Sequence, residues 1–287
     1  MSFTLDPQMK LGYTQLRVLD IQKQTAFYQS LGFQLIEQTT DRALFGAGSN
    51  EPVLILVHEN NTIPRPPRTT GLFHFAILVK SKEDLGHVIG NLANRGIRFT
   101  GAGDHLYSEA FYLDDPEGNG IEIYHDRPHD EWTIHEDGTI ETDTLPVDVQ
   151  AILDLYDPSR PWTGFPDGTI LGHIHLNVSK LDDSLKHLYF DALGFDFKTN
   201  FHESAYFISA GGYHHHIALN TWMGMGAPLP PLASSGLMAY SLHLSSLEKL
   251  EELRQNLIKE NVLFTDEGEK LVVKDVNGHD MIFGVTK

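Results

Sequence analysis

The stretch from Gly71 to Pro128 decides how the rest of the chain reads. It opens on the apolar run Gly71-Leu-Phe-His74-Phe-Ala-Ile-Leu-Val79, passes through a segment of helical spacing at 82–93, and continues with Gly101-Ala-Gly-Asp-His105. It closes on Glu109-Ala-Phe-Tyr112-Leu-Asp-Asp-Pro-Glu-Gly-Asn-Gly-Ile-Glu122-Ile-Tyr-His-Asp126. One histidine on a first strand and one glutamate on a later strand supply two-thirds of a 2-His-1-carboxylate metal face. That arrangement leaves open positions on a non-haem Fe(II). The third ligand has to come from elsewhere in the chain.

Working outward, the same pattern recurs. Leu11-Gly-Tyr-Thr-Gln-Leu-Arg-Val18, Leu72-Phe-His-Phe-Ala-Ile-Leu-Val79, Leu171-Gly-His-Ile-His-Leu-Asn-Val178 and Leu237-Met-Ala-Tyr-Ser-Leu-His-Leu244 align without a gap, each with the apolar run or alternation of a buried strand. Helical spacing follows at 22–31, 82–93, 181–193 and 247–259. The stop signals correspond: Leu31-Gly-Phe, Arg95-Gly-Ile, Leu193-Gly-Phe and Glu260-Asn-Val. Glycine or asparagine just past a helix is the residue that a left-handed cap favours. Short β-rich runs separated by turn residues come next, so the unit is one strand, one helix and about three strands, written four times. The expected fold is α+β, with four βαβββ units in residues 1–126 and 170–287. Residues 127–169 form a connector around Trp132 and Trp162, with a short helix near 147–155. A second irregular passage, 221–235, carries Pro228, Pro230 and Pro231. Long connectors of this kind often cover a site.

The bulk composition narrows the function. With 39 acidic against 21 basic residues the 287-residue chain carries a formal charge of −18, which repels phosphate backbones and anionic lipid. Nucleic-acid and membrane partners are not expected. No run reaches the roughly 18 apolar residues of a membrane helix. The opening Met1-Ser-Phe-Thr-Leu-Asp6 lacks a signal-peptide pattern, so a cytoplasmic location is the expectation. The absence of cysteine removes disulfides, thiolate nucleophiles and cysteine-held metals together. Any metal sits on His, Asp or Glu.

Four such units, with histidines on first strands, resemble the vicinal oxygen chelate superfamily. More narrowly, the chain resembles its type I extradiol ring-cleavage dioxygenases of the catechol 2,3-dioxygenase kind. The motifs that carry this are Leu171-Gly-His-Ile-His-Leu176, Gly211-Gly-Tyr-His-His-His-Ile-Ala-Leu-Asn-Thr-Trp222 and Asp115-Pro-Glu-Gly-Asn-Gly-Ile-Glu-Ile-Tyr124. In that family paired units curve into half-barrels whose concave faces hold the metal. Carried over by position, the ligands fall on His74, His173 and Glu122. Periodicity puts His173 and His175 on one face, and the register with His74 selects His173. The first and fourth units carry Tyr13 and Ala239 at the histidine position and about Ile55 and Ile282 at the carboxylate position, so they cannot build the site. The better-known extradiol enzymes draw their ligands from the third and fourth units. Here only pairing the second unit with the third, and the first with the fourth, brings two histidines and one carboxylate together.

The resemblance further implies a catechol or substituted catechol as substrate, O2 as co-substrate and Fe(II) as cofactor, with Mn(II) also compatible. It implies His215, His105 and Tyr112 as the acid/base and hydrogen-bonding groups. Strand alternation sends His215 to one face and His214 and His216 to the other. Family register favours His215 over His216, with His214 structural or solvated. Two other readings stay open within the superfamily. One is a glyoxalase-like metal isomerase, which needs a second carboxylate where the third unit offers histidine. The other is a non-catalytic binding member. A homo-oligomer is compatible with all three.

Overall fold

Each unit turns from strand to helix at a side-chain cap. Asp20, Ser81, Asp182 and Ser246 accept hydrogen bonds from the backbone N–H three residues on, at 2.9, 3.1, 3.1 and 3.2 Å, satisfying a donor that has no partner within the helix. At the other end Gly32, Gly96, Gly194 and Asn261 take φ of +97°, +76°, +73° and +57°, the left-handed conformation expected at all four stop signals. The following N–H returns to a carbonyl five residues back in three units (Phe33 to Tyr28, Ile97 to Leu92, Val262 to Leu257) and six back in the third, Phe195 to Tyr189. The third helix is therefore not the single regular helix expected over 181–193. After its cap at Asp182 it makes one α turn and then widens into a π turn at His187–Ala192, which absorbs the extra residue. Ser81→Ala is expected to lower stability by about 1 kcal/mol, read as a lower denaturation midpoint at unchanged m-value.

The structure is a computed structural model and describes residues 3–286; Met1 and Ser2 of the opening segment and Lys287 of the fourth unit lie outside it. The first unit is β1 (Lys10–Val18), α1 (Ile21–Ser30), β2 (Gln34–Gln38), β3 (Arg42–Gly46) and β4 (Pro52–His58). The second is β5 (Gly71–Val79), α2 (Lys82–Asn94), β6 (Gly101–Asp104), β7 (Ser108–Asp114) and β8 (Gly120–Asp126), and the connector holds α3 (Val149–Leu153). The third is β9 (Ile170–Asn177), α4 (Asp183–Lys186) with its π turn, β10 (Asp196–Phe201), β11 (Ala205–Ser209) and β12 (Ile217–Asn220). The fourth is β13 (Gly236–Leu244), α5 (Leu247–Lys259), β14 (Phe264–Asp266), β15 (Leu271–Lys274) and β16 (Asp280–Val285). No helix among the described residues is long and apolar enough to cross a membrane.

The strands form two eight-stranded mixed sheets of the expected curved α+β type, in orders β14-β15-β16-β13-β1-β4-β3-β2 and β10-β11-β12-β9-β5-β8-β7-β6. The first unit thus joins the fourth, and the second joins the third, across the antiparallel seams β1/β13 and β5/β9. Between the sheets, Glu117 of the second unit accepts from the backbone N–H of Leu19 and Asp20, and the buried Tyr28 hydroxyl donates to Asp115 at 2.9 Å. The 127–169 connector straps the edges of the second sheet. Asp104 and Leu145 exchange backbone hydrogen bonds beside β6, while Ile140 bonds to Lys198 and Thr199 on β10.

Candidate metal centre and its chamber

Register alone brings the ligand candidates into one row. Tyr112 on β7 pairs with Glu122 on β8, Glu122 with Ala76 on β5, and Ala76 with His173 on β9. Residues paired across a ladder share a face, and Ala76 has the smallest side chain of the row, so Glu122 and His173 can lean together over it. His74 stands two residues from Ala76 on the same face, opposite His175. The seam slips by one residue at two places, between Leu72/His74 and between Ala76/Ile77. Each slip is a β-bulge, a local bend that re-aims side chains. The first puts Phe73 beside His74 in the chamber wall. The second leaves Gly172 as the extra residue next to His173.

His74 Nε2, His173 Nε2 and Glu122 Oε2 converge, at 2.9 Å (His74–Glu122), 3.1 Å (His173–Glu122) and 3.3 Å (His74–His173). Their residues are only 6%, 2% and 2% exposed. Atoms about 3 Å apart are adjacent corners of an octahedron with its centre about 2.1 Å from each, the metal–ligand distance of a small divalent ion. The donor chemistry agrees with the spacing. Burial pushes the His173 imidazolium down to about 4, against the opposing pull of Glu122, so its lone pair is free at neutral pH. Burial tends to raise the Glu122 carboxyl, but the two imidazoles hold it well below the usual carboxylate range. Two imidazoles and one carboxylate on one face form a facial donor set, and the residues fit a metal. Among the described residues these three are the grouping of at least three His, Asp or Glu side chains with convergent donor atoms.

Over the triad lies a cavity of about 250 Å³. His105, Tyr112 and His215 all line it. His105 Nδ1 faces the Asp143 carbonyl at 2.9 Å, so Nδ1 carries the proton and Nε2 accepts from the Tyr112 hydroxyl at 2.6 Å. Burial and the nearby Glu122 charge push the Tyr112 phenol well above its ordinary value, so it stays a protonated donor.

The three consecutive histidines do not follow strand alternation. Gly211 turns the backbone at φ +72° and β12 begins only at Ile217, so residues 214–216 are irregular and the opposite-face reading of His214 is corrected. His214 and His215 lie side by side, both buried, with their Nδ1 atoms 2.7 Å apart. His216 is directed away from the cavity, its Nδ1 held by Ser209 Oγ at 2.9 Å. Burial and the adjacent imidazoles push His215 and His175 well below the ordinary histidine range.

Several wall residues escaped sequence reasoning. His175, on the same face as His173, stays out of the triad and lines the cavity, with a buried Nε2 that has no partner. Both irregular connectors reach the chamber: Thr142, Asp143 and Thr144 from the first, and Trp222 from the second, its ring 4.9 Å from His175 and 5.2 Å from Phe73. Length and aromatic content were the only signals for them.

The family model described as "Glyoxalase/Bleomycin resistance protein/Dioxygenase superfamily" matches residues 10–123. Catechol-2,3-dioxygenase of Bacillus subtilis (strain 168) is 42% identical over 244 residues, covering 84% of this chain and 85% of that protein. Among solved structures, glyoxalase I from Zea mays superposes with a TM-score of 0.55 at 14% identity, over 97% of this chain and 92% of that one. The cppA protein from Streptococcus pneumoniae TIGR4 superposes with a TM-score of 0.56 at 11% identity, over 96% and 100%. At such identities the structural likeness establishes the fold alone.

Proposed function

Because the chain belongs to the glyoxalase/bleomycin resistance protein/dioxygenase superfamily, we propose that its chamber is an extradiol centre opening catechols with O2. The chain is an enzyme of the catechol-2,3-dioxygenase type; the reading goes further in assigning Fe(II) to His74, His173 and Glu122. The observation that carries it is the facial triad beneath a cavity that also holds a His–Tyr pair and a second histidine. When bound, the metal supplies adjacent open positions at which a diol and O2 meet.

The remaining work falls to the protein. His215 takes the proton of the catechol hydroxyl and later returns it. Tyr112, whose hydroxyl proton is held by His105 Nε2 at 2.6 Å, turns that one hydrogen bond toward the reacting oxygens when substrate is bound, and His105 Nε2 takes it back when substrate leaves. Phe73, Phe201, Phe207 and Trp222 wall the ring and exclude water. Cleavage beside the diol keeps both atoms of O2 and gives a semialdehyde of the muconic type. The test is anaerobic reconstitution with Fe(II), then catechol and air. A yellow product with one O2 consumed per catechol is expected, and the absence of both colour and O2 uptake would overturn the assignment.

Substituent charge follows from the walls. None of the described residues lining the chamber is lysine or arginine, and Asp143 adds an acidic side chain. A carboxylate moved into such a site loses hydration with no counter-charge. Catechol and 4-methylcatechol are therefore expected to show kcat/KM at least about 10-fold above 3,4-dihydroxyphenylacetate, an underestimate of the several kcal/mol a buried ion loses. A preference for the acid in steady-state kinetics would reject this.

A further inference from the structure

Asp126 ends β8 four residues beyond Glu122 and faces the histidine run of the third unit. Its Oδ1 lies 2.9 Å from His214 Nε2, and its Oδ2 accepts the Tyr213 hydroxyl at 2.9 Å. The Tyr124 hydroxyl stands 2.7 Å behind that of Tyr213. A carboxylate brings no proton, so His214 Nε2 must carry one. In a neutral imidazole the other nitrogen is then a bare acceptor, and His214 Nδ1 is 2.7 Å from His215 Nδ1. With His214 neutral, the hydrogen for that contact comes from His215. Its proton therefore sits on Nδ1, and Nε2 of a side chain lining the chamber keeps its lone pair.

The His214 ring is clamped to hold this alignment. Tyr107 stacks on it at 4.2 Å and 13°, and Trp132 from the connector lies 5.3 Å away. The His214 side chain is 1% exposed, so water does not compete for its nitrogens. A buried side chain hydrogen-bonded at both ring atoms between two other polar side chains is held in one tautomer by the network.

We propose that Asp126 and His214 are positioning residues that fix His215 in the tautomer whose Nε2 receives the catechol proton. The proposal rests on the extradiol reading. In the step, the catechol O–H bond breaks, the proton forms a bond to His215 Nε2, and the electron pair stays on the catecholate oxygen. The new imidazolium donates through Nδ1 to His214, which donates through Nε2 to the Asp126 carboxylate. Neither positioning residue touches substrate or metal.

Asp126→Asn preserves shape but offers His214 Nε2 an amide N–H. That inverts both tautomers and places a hydrogen where the base needs a lone pair. In the iron-loaded protein kcat is expected to fall about 100-fold, the scale of a lost general base, with iron content and anaerobic catechol Kd unchanged. Asp126→Glu restores most of the rate. Nitrogen-15 NMR of the metal-free protein reads the tautomer directly: Nδ1–H at His215 in the parent, Nε2–H in Asp126→Asn. A variant that turns over like its parent overturns the proposal, and so does an Nε2–H signal for His215 in the parent, whatever the variant's folding. If the parent itself consumes no O2 with catechol, the extradiol reading fails instead, while the NMR result still decides the tautomer.

Discussion

Glu122→Ala is expected to remove both ring cleavage and iron retention. Glu122 is the one anionic donor of the set, and its Oε2 is within 3.1 Å of both imidazole nitrogens. Without it, the double charge of the ion is met only by two neutral rings in a buried site, where uncompensated charge is most costly. Loss of an outer hydrogen-bonding partner around a metal typically lowers affinity or activity 10–100-fold. Loss of the charged ligand itself is expected to exceed that, at about 1,000-fold or more in turnover. A second readout separates metal loss from misfolding. Ligand binding to the native state alone adds about 2.7 kcal/mol at 100 times Kd, so Fe(II) should raise the parent's thermal midpoint and leave the variant's unmoved. A variant that keeps stoichiometric iron and its activity would remove Glu122 from the centre.

Gly172→Ala is expected to cost a large part of the stability. Gly172 is the extra residue of the bulge in β9, and a Cβ there would stand 1.9 Å from the Tyr124 hydroxyl oxygen, 2.8 Å from its ring carbon and 3.0 Å from Leu78 Cβ. Tyr124 is fully buried and hydrogen-bonded to Tyr213, so it has no free space to swing into. Overpacking of a filled interior costs typically 1–3 kcal/mol, and a contact this short belongs at the upper end, about 3 kcal/mol. Urea denaturation measures it. Because the hydroxyl is the nearest atom, adding Tyr124→Phe to the Gly172→Ala chain should recover part of the loss. A single variant within about 0.5 kcal/mol of the parent, the range of harmless surface changes, would show that the bulge relaxes freely.

The periodic parts of this architecture were legible in the chain. Four aligned first strands, each followed by a helix and a Gly or Asn stop, correspond to four helices capped by Asp or Ser and ended in the left-handed region. His74, Glu122 and His173 could be singled out because strands repeat every two residues, and a repeat register carries that face from one unit to the next. What escaped depends on partners distant in sequence. The bulges at Phe73 and Gly172 are slips of one strand against another, and neither segment signals a slip by itself. His214 was misplaced because alternation presumes extended backbone, whereas the turn at Gly211 rotates the following residues. The connectors have no periodicity, so the chamber contacts of Asp143 and Trp222 had no pattern to announce them.

The nesting of the two sheets orders events as the chain leaves the ribosome. The seam around the chamber joins Gly71 to Asn177, and its sheet needs nothing beyond Asn220. The outer seam joins Lys10 to His243, and its sheet is complete only with β16 at Val285. During synthesis the inner pair has all its strands while the N-terminal unit still waits for its mate, with the β1 edge unpaired. Exposed strand edges are where nascent proteins associate wrongly. Slowing translation beyond residue 220 would therefore lengthen the exposure of the β1 edge without delaying the sheet that encloses the chamber.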